Sequence, residues 1–514
     1  MKYIVELKRI FMPAGWIFSA VFCAAAQVPV RAEAAETGAG QTALKELVNL
    51  DHLNWLTRMK DGLGAVSVYA ERDTGTGEYS HVFAKGAGNK GKELEGVACV
   101  DDVARAAALV LKYFRLTGDE AVLPRARAYL EFVLYMQASD GTFYNFTYAD
   151  QSINRKGKTS RKGFDWWTAR AMWALGSAYG VFRERDPDFA RRIRDSLERA
   201  RPALKPWLKQ SGKYLKISDE SGQKRKVPRW LLNDSGGMTA VAVIGLTHYY
   251  EAAPDEELKA EILRLCRALA DFQYGDFQHA PYGAHMAWAQ KPGTWHGWGS
   301  RQSQALAYAG RVLKRSDLIG SAKKEADMWL SRLIVTGIPY MVSMGKGESR
   351  FLEQIPYAQS CAVMGMHEIG LATGDDRYHA YAGLLASWFF GNNVTGKPMY
   401  DPGTGRGYDG ISDRKGAIVR NLNSGGEATV EALMAVLDAS SHPESRRTMQ
   451  MTRHHRPQVV PVAGEKYEMK IGELPLPGQD VLQEMRVFED PDTGGRLRIV
   501  RDFKDESVRL EELP

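Results

Sequence analysis

The sequence predicts an all-α fold, an (α/α)6 barrel of six helical hairpins spanning residues 42–440, with a small β-rich extension at residues 441–514. Three observations lead there. Apolar residues recur at helical spacing in one segment after another from Val100 to Asp438. Short breaks and long loops alternate between those segments. The aspartates that mark the short breaks, Asp119, Asp188, Asp255, Asp317 and Asp375, follow one another at intervals of 69, 67, 62 and 58 residues. A repeat of that length means a repeated supersecondary unit, here a helical hairpin.

The elements follow in order. Thr42–Lys60 reads as an amphipathic helix through Leu44, Leu47, Leu50, Leu53 and Leu56. Gly64–Ala70 reads as extended, and Thr74–Glu95 as a glycine-rich loop. The hairpins are then Val100–Leu116 with Ala121–Gln137, Trp166–Phe182 with Phe189–Leu208, Gly237–Tyr250 with Glu256–Phe272, Gln302–Leu313 with Ile319–Leu333, and Ala358–Leu371 with Tyr378–Phe390. Ala428–Asp438 is the last helix, and Thr42–Lys60 is its expected partner. Each short break holds a turn former beside an aspartate or serine able to cap the next helix. A closed ring of such pairs gathers the starts of all first helices at one end, under the long loops, where function usually sits. Beyond Ser440, Arg446–Arg456 reads as a solvated basic linker. Val459–Val462, Tyr467–Ile471, Val481–Phe488 and Leu497–Phe503 read as short strands, with a hairpin turn at Asp490–Gly495.

With 25% charged and 44% hydrophobic residues, the 514-residue chain suits a large globular domain rather than disorder. Lys2, Lys8 and Arg9 precede an apolar run, Phe11–Val30, and then small residues at Ala32, Ala34 and Ala35, the pattern of an export signal over residues 1–34. The expected product is periplasmic or extracellular, without stable membrane insertion after cleavage. Loss of that segment takes the formal charge from +6 to +4, too mild and too scattered for a nucleic-acid partner. The remaining cysteines, Cys99, Cys266 and Cys361, form neither a disulfide framework nor a zinc pattern. No metal and no cofactor are expected.

The chemistry concentrates at the starts of the first helices. They read Cys99-Val-Asp-Asp-Val, Gly163-Phe-Asp-Trp-Trp, Asn233-Asp-Ser-Gly-Gly, Trp295-His-Gly-Trp-Gly-Ser-Arg, Gln354-Ile-Pro-Tyr-Ala-Gln and Asn421-Leu-Asn-Ser-Gly-Gly-Glu. The second helices begin with ordinary surface residues. Carboxylates, amides and aromatic faces in one cleft suit a sugar, whose hydroxyls take paired hydrogen bonds and whose flat face stacks on a ring. Asp101, Asp102 and Glu427 are the candidate catalytic groups. Trp166, Arg170, Asn233, Asp234, Trp295, His296, Arg301, Tyr357, Gln359, Tyr408, Asp409 and Asn423 are the candidate sugar ligands. Two adjacent aspartates exceed what capping requires. Ser424-Gly-Gly-Glu427 also matches a capping box by spacing, a structural reading of Glu427. Trp166 and Trp167 cannot both face the pocket, so one packs in the core.

Three motifs lead nowhere. Gly86-Ala-Gly-Asn-Lys-Gly-Lys92 has a phosphate-loop spacing but continues with Glu93 and lacks a strand–loop–helix context. His367-Glu368 lacks the second histidine of a metalloprotease helix. Asp101-Asp102-Val-Ala-Arg105 matches a metal-binding aspartate motif, without the second motif such sites need.

Residues 42–440 resemble the six-hairpin glycosidase superfamily. The likeness rests on the hairpin repeat, on Cys99-Val-Asp-Asp-Val-Ala-Arg, and on Asn421-Leu-Asn-Ser-Gly-Gly-Glu-Ala-Thr-Val-Glu-Ala-Leu. It implies an (α/α)6 barrel acting on an oligo- or polysaccharide, with an early aspartate as base and a glutamate near the final helix as acid. Asp101 or Asp102 and Glu427 occupy those places. An inverting glycoside hydrolase is the expectation, and it needs the two carboxyls about 6.5–9.5 Å apart. A polysaccharide lyase or sugar epimerase on the same barrel would lean instead on His296, Arg301 and Tyr357. A non-catalytic glycan-binding protein is the third alternative.

Overall fold

The computed structural model describes residues 39–82, 95–344, 346–452, 456–469 and 481–514. The expected export signal at 1–34, the phosphate-loop-like stretch and Ile471 lie outside them. Ala35–Pro514 form one compact unit.

Sixteen α-helices occur among the described residues. They are α1 (Ala39–Leu47), α2 (Asp51–Leu56), α3 (Val100–Thr117), α4 (Leu123–Tyr135), α5 (Trp166–Phe182), α6 (Pro187–Ala200), α7 (Lys205–Leu208), α8 (Gly236–Ala252), α9 (Glu256–Asp271), α10 (Gln302–Val312), α11 (Ser316–Glu325), α12 (Ser331–Thr336), α13 (Pro356–Thr373), α14 (Asp376–Ala386), α15 (Gly426–Ser440) and α16 (Pro443–Met449). A π-bulge at Ala326–Leu330 joins α11 to α12. Sequence neighbours pair as α3–α4, α5–α6, α8–α9, α10–α11, α13–α14 and α15–α16. The first members pack in cyclic order, α3 on α5, then α8, α10, α13 and α15, and α15 returns to α3. That order is consistent with an (α/α)6 barrel.

Local chemistry explains the elements. The first helices are apolar almost all round, as helices covered on every side must be. In α8 nearly every residue from Gly236 to Thr247 is buried. The second helices carry one apolar stripe, Phe189, Ile193 and Leu197 in α6 and Leu258, Ile262, Leu265 and Leu269 in α9. Aspartates close the short turns as expected. The Asp255 carboxylate accepts from Leu258 N at 2.7 Å, and that of Asp375 from Arg377 N at 3.1 Å. Before α6 the cap is Asp186, which accepts from Phe189 N at 3.0 Å, while Asp188 sits inside the first turn. α3 and α13 end on Gly118 and Gly374 in the left-handed region, φ 69° in both. Between α5 and α8 the backbones meet at Gly176 and Gly245. A Cβ on Gly245 would stand 2.6 Å from the Met172 backbone, so that crossing needs glycine.

Two expectations are corrected. Thr42–Lys60 is not one helix. An Asn49 side chain that accepts from Asp51 N at 2.8 Å resets the chain between α1 and α2, and Thr57–Lys60 pairs antiparallel with Leu63–Val66. α1 and α2 both pack on α15 all the same, as expected of its partner, and α16, whose second half falls in the stretch read as a solvated linker, packs mainly on α14 and also on α15. Its inward contacts are polar: Ser445 Oγ donates to His379 O at 2.7 Å and Thr448 Oγ1 to Ala380 O at 2.9 Å.

The long loops carry short antiparallel pairs at the starts of the first helices, such as Ala98–Cys99 with Phe146–Thr147 and Gly410–Arg414 with Ala417–Asn421. At the C-terminus five antiparallel strands form one sheet, in the order Tyr467–Glu468, Gln458–Pro461, Val481–Glu489, Arg496–Asp502, Ser507–Leu513. The last strand was not expected. The sheet is fixed to α12 by buried charge. Glu484 accepts from Arg332 and from Arg501, each at 2.7 Å, and Arg486 donates to Val335 O at 2.7 Å. Among the described residues no helix is long and apolar enough to cross a membrane.

Candidate active site

The starts of α3, α5, α13 and α15 meet around one cleft with about 250 Å³ of room for water. Its walls include Asp101, Asp102, Arg105, Arg170, Asp409 and Glu427, with Tyr69 and Phe146 as the aromatic faces. Strand Ala98–Cys99 delivers the first pair. Its neighbour Asn145 fixes the turn into α3, accepting from Val100 N at 2.8 Å through its carbonyl and from Asp101 N at 3.2 Å through its side chain. Glycines deliver the opposite wall. A Cβ on Gly426 would sit 3.0 Å from Asp102 Oδ2 and from Ser67 O, so glycine lets α15 begin this close to α3 without pushing either back. Ser424 does not cap α15. Its hydroxyl donates to Gly407 O at 2.8 Å, and the cap residue is Gly425, so the capping-box role is unfilled and the Glu427 side chain turns to Arg105.

Arg105 is the hub. Its Nη2 donates to Asp102 Oδ1 at 2.6 Å and to Glu427 Oε2 at 3.0 Å, and its Nη1 donates to Glu431 Oε1 at 2.8 Å. Those two carboxylate oxygens share one nitrogen, so they stand less than about 6 Å apart. Bridged in this way, those two oxygens stand closer together than the about 6.5–9.5 Å expected between the carboxyls of an inverting pair. Asp101 turns the other way, to Arg170 Nη1 at 2.6 Å and Asn145 Nδ2 at 3.0 Å. Arg170 also donates to the Tyr357 hydroxyl at 2.9 Å and lies over the Trp166 ring at 5.3 Å.

Burial sorts the carboxyls. Asp102 is 2% exposed, and desolvation, reinforced by Glu427 and Asp101, pushes it up to about 6 against the pull of Arg105. Asp409 is also pushed up to about 6, by desolvation first and by Glu427 second. Among the described residues its side chain accepts only from Gly425 N and Asn421 Nδ2, both distant at 3.4 Å. The Glu427 side chain is 43% exposed, the most open of the carboxylates that Arg105 and Arg170 hold.

The remaining sequence candidates divide. Tyr357 stands inside the arginine cluster, 5.3 Å from the Arg105 and Arg170 guanidiniums. Arg301 is buried behind it, with Nη2 2.7 Å from Glu431 Oε2. Trp166 leans on Arg170, while Trp167 is the core partner and donates from Nε1 to Phe143 O at 2.7 Å. Asn423 ties the rim together, accepting from Arg72 N at 3.0 Å and, through its carbonyl, from Asp409 N at 2.9 Å. Tyr408 is half-buried beside it and outside the cleft wall. Trp295 is core, edge-on to Trp329. His296 is enclosed by Trp288, Trp298 and Tyr340, and desolvation lowers it to about 4. Gln359 is buried beside a separate small cavity with Gln354 and Trp388. Asn233 and Asp234 are exposed on a left-handed turn, φ 48° and 57°, where Asp234 accepts from Gln290. None of these last five lines the cleft.

Arg105, Glu431, Asn145 and Tyr69 were missed. Two of them carried a readable signal, since Arg105 follows Asp102 by three residues and Glu431 follows Glu427 by four, the spacing of neighbours on one helix face. Among the described residues no group of three His, Cys, Asp or Glu side chains is placed to hold a metal ion.

No protein-family model and no curated protein matches the sequence. Solved structures do match the fold. A sugar epimerase from a ruminal bacterium aligns at TM-score 0.50 and 13% identity over 77% of this chain and 98% of its own. Cellobiose 2-epimerase from Bacillus thermoamylovorans B4167 gives the same values. A D-mannose isomerase aligns at TM-score 0.51 and 10% identity over 79% of this chain and 98% of its own. At such identities the likeness is one of fold alone.

Proposed function

We propose that this chain is an exported glycoside hydrolase, a closed (α/α)6 barrel that cleaves an oligo- or polysaccharide in the cleft between α3 and α15. One observation carries the choice of chemistry. Four carboxyl groups, Asp101, Asp102, Asp409 and Glu427, line the cleft, and no histidine is among its lining residues. An epimerase or lyase reading would ask His296 to reach the sugar, and that ring is enclosed in its aromatic cluster. The charged and apolar start of the chain supports export.

Hydrolysis needs a proton for the leaving oxygen and a base for the attacking water. Asp409 suits the donor, because burial keeps its proton up to about pH 6 and among the described residues no cation pairs with it. Asp102 has similar affinity but is sealed against Arg105. Glu427, open to solvent and placed by Arg105, suits activation of water, and Asp101, placed by Arg170, suits the hydroxyls of the bound sugar. Tyr69 offers a face for the pyranose ring. The test is an oligosaccharide panel read by mass. D409N and E427Q are expected to lose about 100-fold or more in turnover, the scale of general acid–base catalysis, while H296F stays active. An active E427Q together with an inactive H296F would overturn the proposal.

A further inference from the structure

Beneath the cleft lies a row of buried charges that the reaction as described does not use. Glu431 is fully buried on α15, one helical turn below Glu427. Its two oxygens are divided between two arginines. Oε1 takes Arg105 Nη1 at 2.8 Å and Oε2 takes Arg301 Nη2 at 2.7 Å. Arg301 is 1% exposed and reaches nothing in the cleft; it is held by Gln304 Oε1 at 3.0 Å and lies over the Trp173 ring at 5.1 Å. Arg105 is 1% exposed as well, and its Nε donates to the Asp101 carbonyl at 3.0 Å. Three of the first helices, α3, α10 and α15, are thus joined by one chain of charge-assisted bonds, Arg301 to Glu431 to Arg105. Only the far end of that chain touches the cleft, where the second terminal nitrogen of Arg105 meets Asp102 and Glu427.

We infer that Glu431 is a positioning residue: wedged between Arg301 and Arg105, it turns the Arg105 guanidinium toward Asp102 and Glu427 and divides its charge between cleft and interior. The inference builds on the hydrolase reading, but its primary measurement needs no substrate. The physical argument is one of direction. A guanidinium presents its donors in a rigid planar fork, so fixing one edge on Glu431 fixes the aim of the other. Burial alone would raise Glu431, yet Arg301 and Arg105, helped by the Ser360 hydroxyl, hold it below the ordinary carboxylate range, so it stays an anion under the cleft. The groups facing Asp102 are Arg105 and Asp101 on α3, Glu427 on α15, the Cys99 thiol at the start of α3, and the Tyr69 hydroxyl across the cleft. Glu431 acts on Asp102 through Arg105, which both carboxylates share.

Removing Glu431 and removing Arg301 must therefore act in opposite senses. In E431Q the charge of Arg105 falls undivided on Asp102 and Glu427, and Asp102 is expected to titrate about one pH unit lower. In R301M the charge of Glu431 is uncompensated and draws on Arg105, and Asp102 is expected to titrate higher by a comparable amount. The experiment is carbon-13 NMR of aspartate carboxyl carbons in the full chain, with the Asp102 signal assigned by its loss in D102N. If E431Q alone does not fold, R301M carries the test through its upward shift of Asp102. Where turnover is measurable, the acidic limb of the kcat/KM profile should move with the NMR titration. Opposite shifts support the inference even if no glycan is cleaved. Folded variants in which Asp102 titrates as in the wild type, with only the melting temperature changed, would overturn it and leave Glu431 a scaffold residue.

Discussion

Replacing Asp409 by Asn should make the protein more stable and less active at once. Asp409 has an ordinary value of 3.8 and is raised to about 6 in the fold, mainly by desolvation. The folded chain therefore holds a proton that the unfolded chain releases between those two values. Stability follows the difference in bound protons, so it falls as pH rises from 3.8 through 6 and is flat above. A displacement of about two pH units corresponds to a cost of about 3 kcal/mol at neutral pH. Asn carries no charge and abolishes the cost, and it forfeits little, since both side-chain contacts of Asp409 are at 3.4 Å. The assay is urea unfolding of both proteins at a series of pH values. The free-energy difference should be near zero around pH 3.5 and should grow to as much as about 3 kcal/mol in favour of D409N by pH 7.5. A difference that does not change with pH, or a wild type more stable at neutral pH, would refute the reasoning. Loss of turnover in a stabilised variant is the signature of a group kept for function at the expense of stability.

Other outcomes follow from particular contacts. Glu484→Gln leaves Arg332 and Arg501 buried without their shared anion, and should cost about 3–5 kcal/mol in urea unfolding. Gly245→Ala forces a methyl against the Met172 backbone at the crossing of α5 and α8, and should lower stability by about 1–3 kcal/mol or more. Tyr357→Phe removes the hydroxyl that accepts from Arg170 but keeps the ring; the melting temperature should change little and turnover should fall about tenfold, read by the same oligosaccharide assay.

The helical hairpins were legible because periodic apolar residues and capping aspartates are local signals, and the ring adds long-range packing without changing them. The core of the site was legible for a related reason. Asp101, Asp102, Arg170, Tyr357, Asp409 and Glu427 all sit at or beside helix starts that a ring brings together. What failed depended on distant partners. Trp295 and His296 look like cleft residues until strand Thr294–His296 pairs with Met341–Ser343 and turns them into the aromatic cluster. Asn233 and Asp234 look like ligands until the left-handed turn sends them to solvent. α16 was missed because its buried face holds Ser445 and Thr448, whose hydroxyls bond to backbone carbonyls, and Met449 alone makes no apolar pattern to read. Arg105 and Glu431 were not singled out, though their spacing from Asp102 and Glu427 placed them on the same faces.

The most direct measurement of the central claim is the mass of the product formed in oxygen-18 water. Cleavage by the carboxyl groups of the α3–α15 cleft predicts fragments that each account for one added water, with the heavy oxygen at the new reducing end, and no such label in E427Q. A product of unchanged mass with an altered sugar, or one lighter by a water, would contradict it.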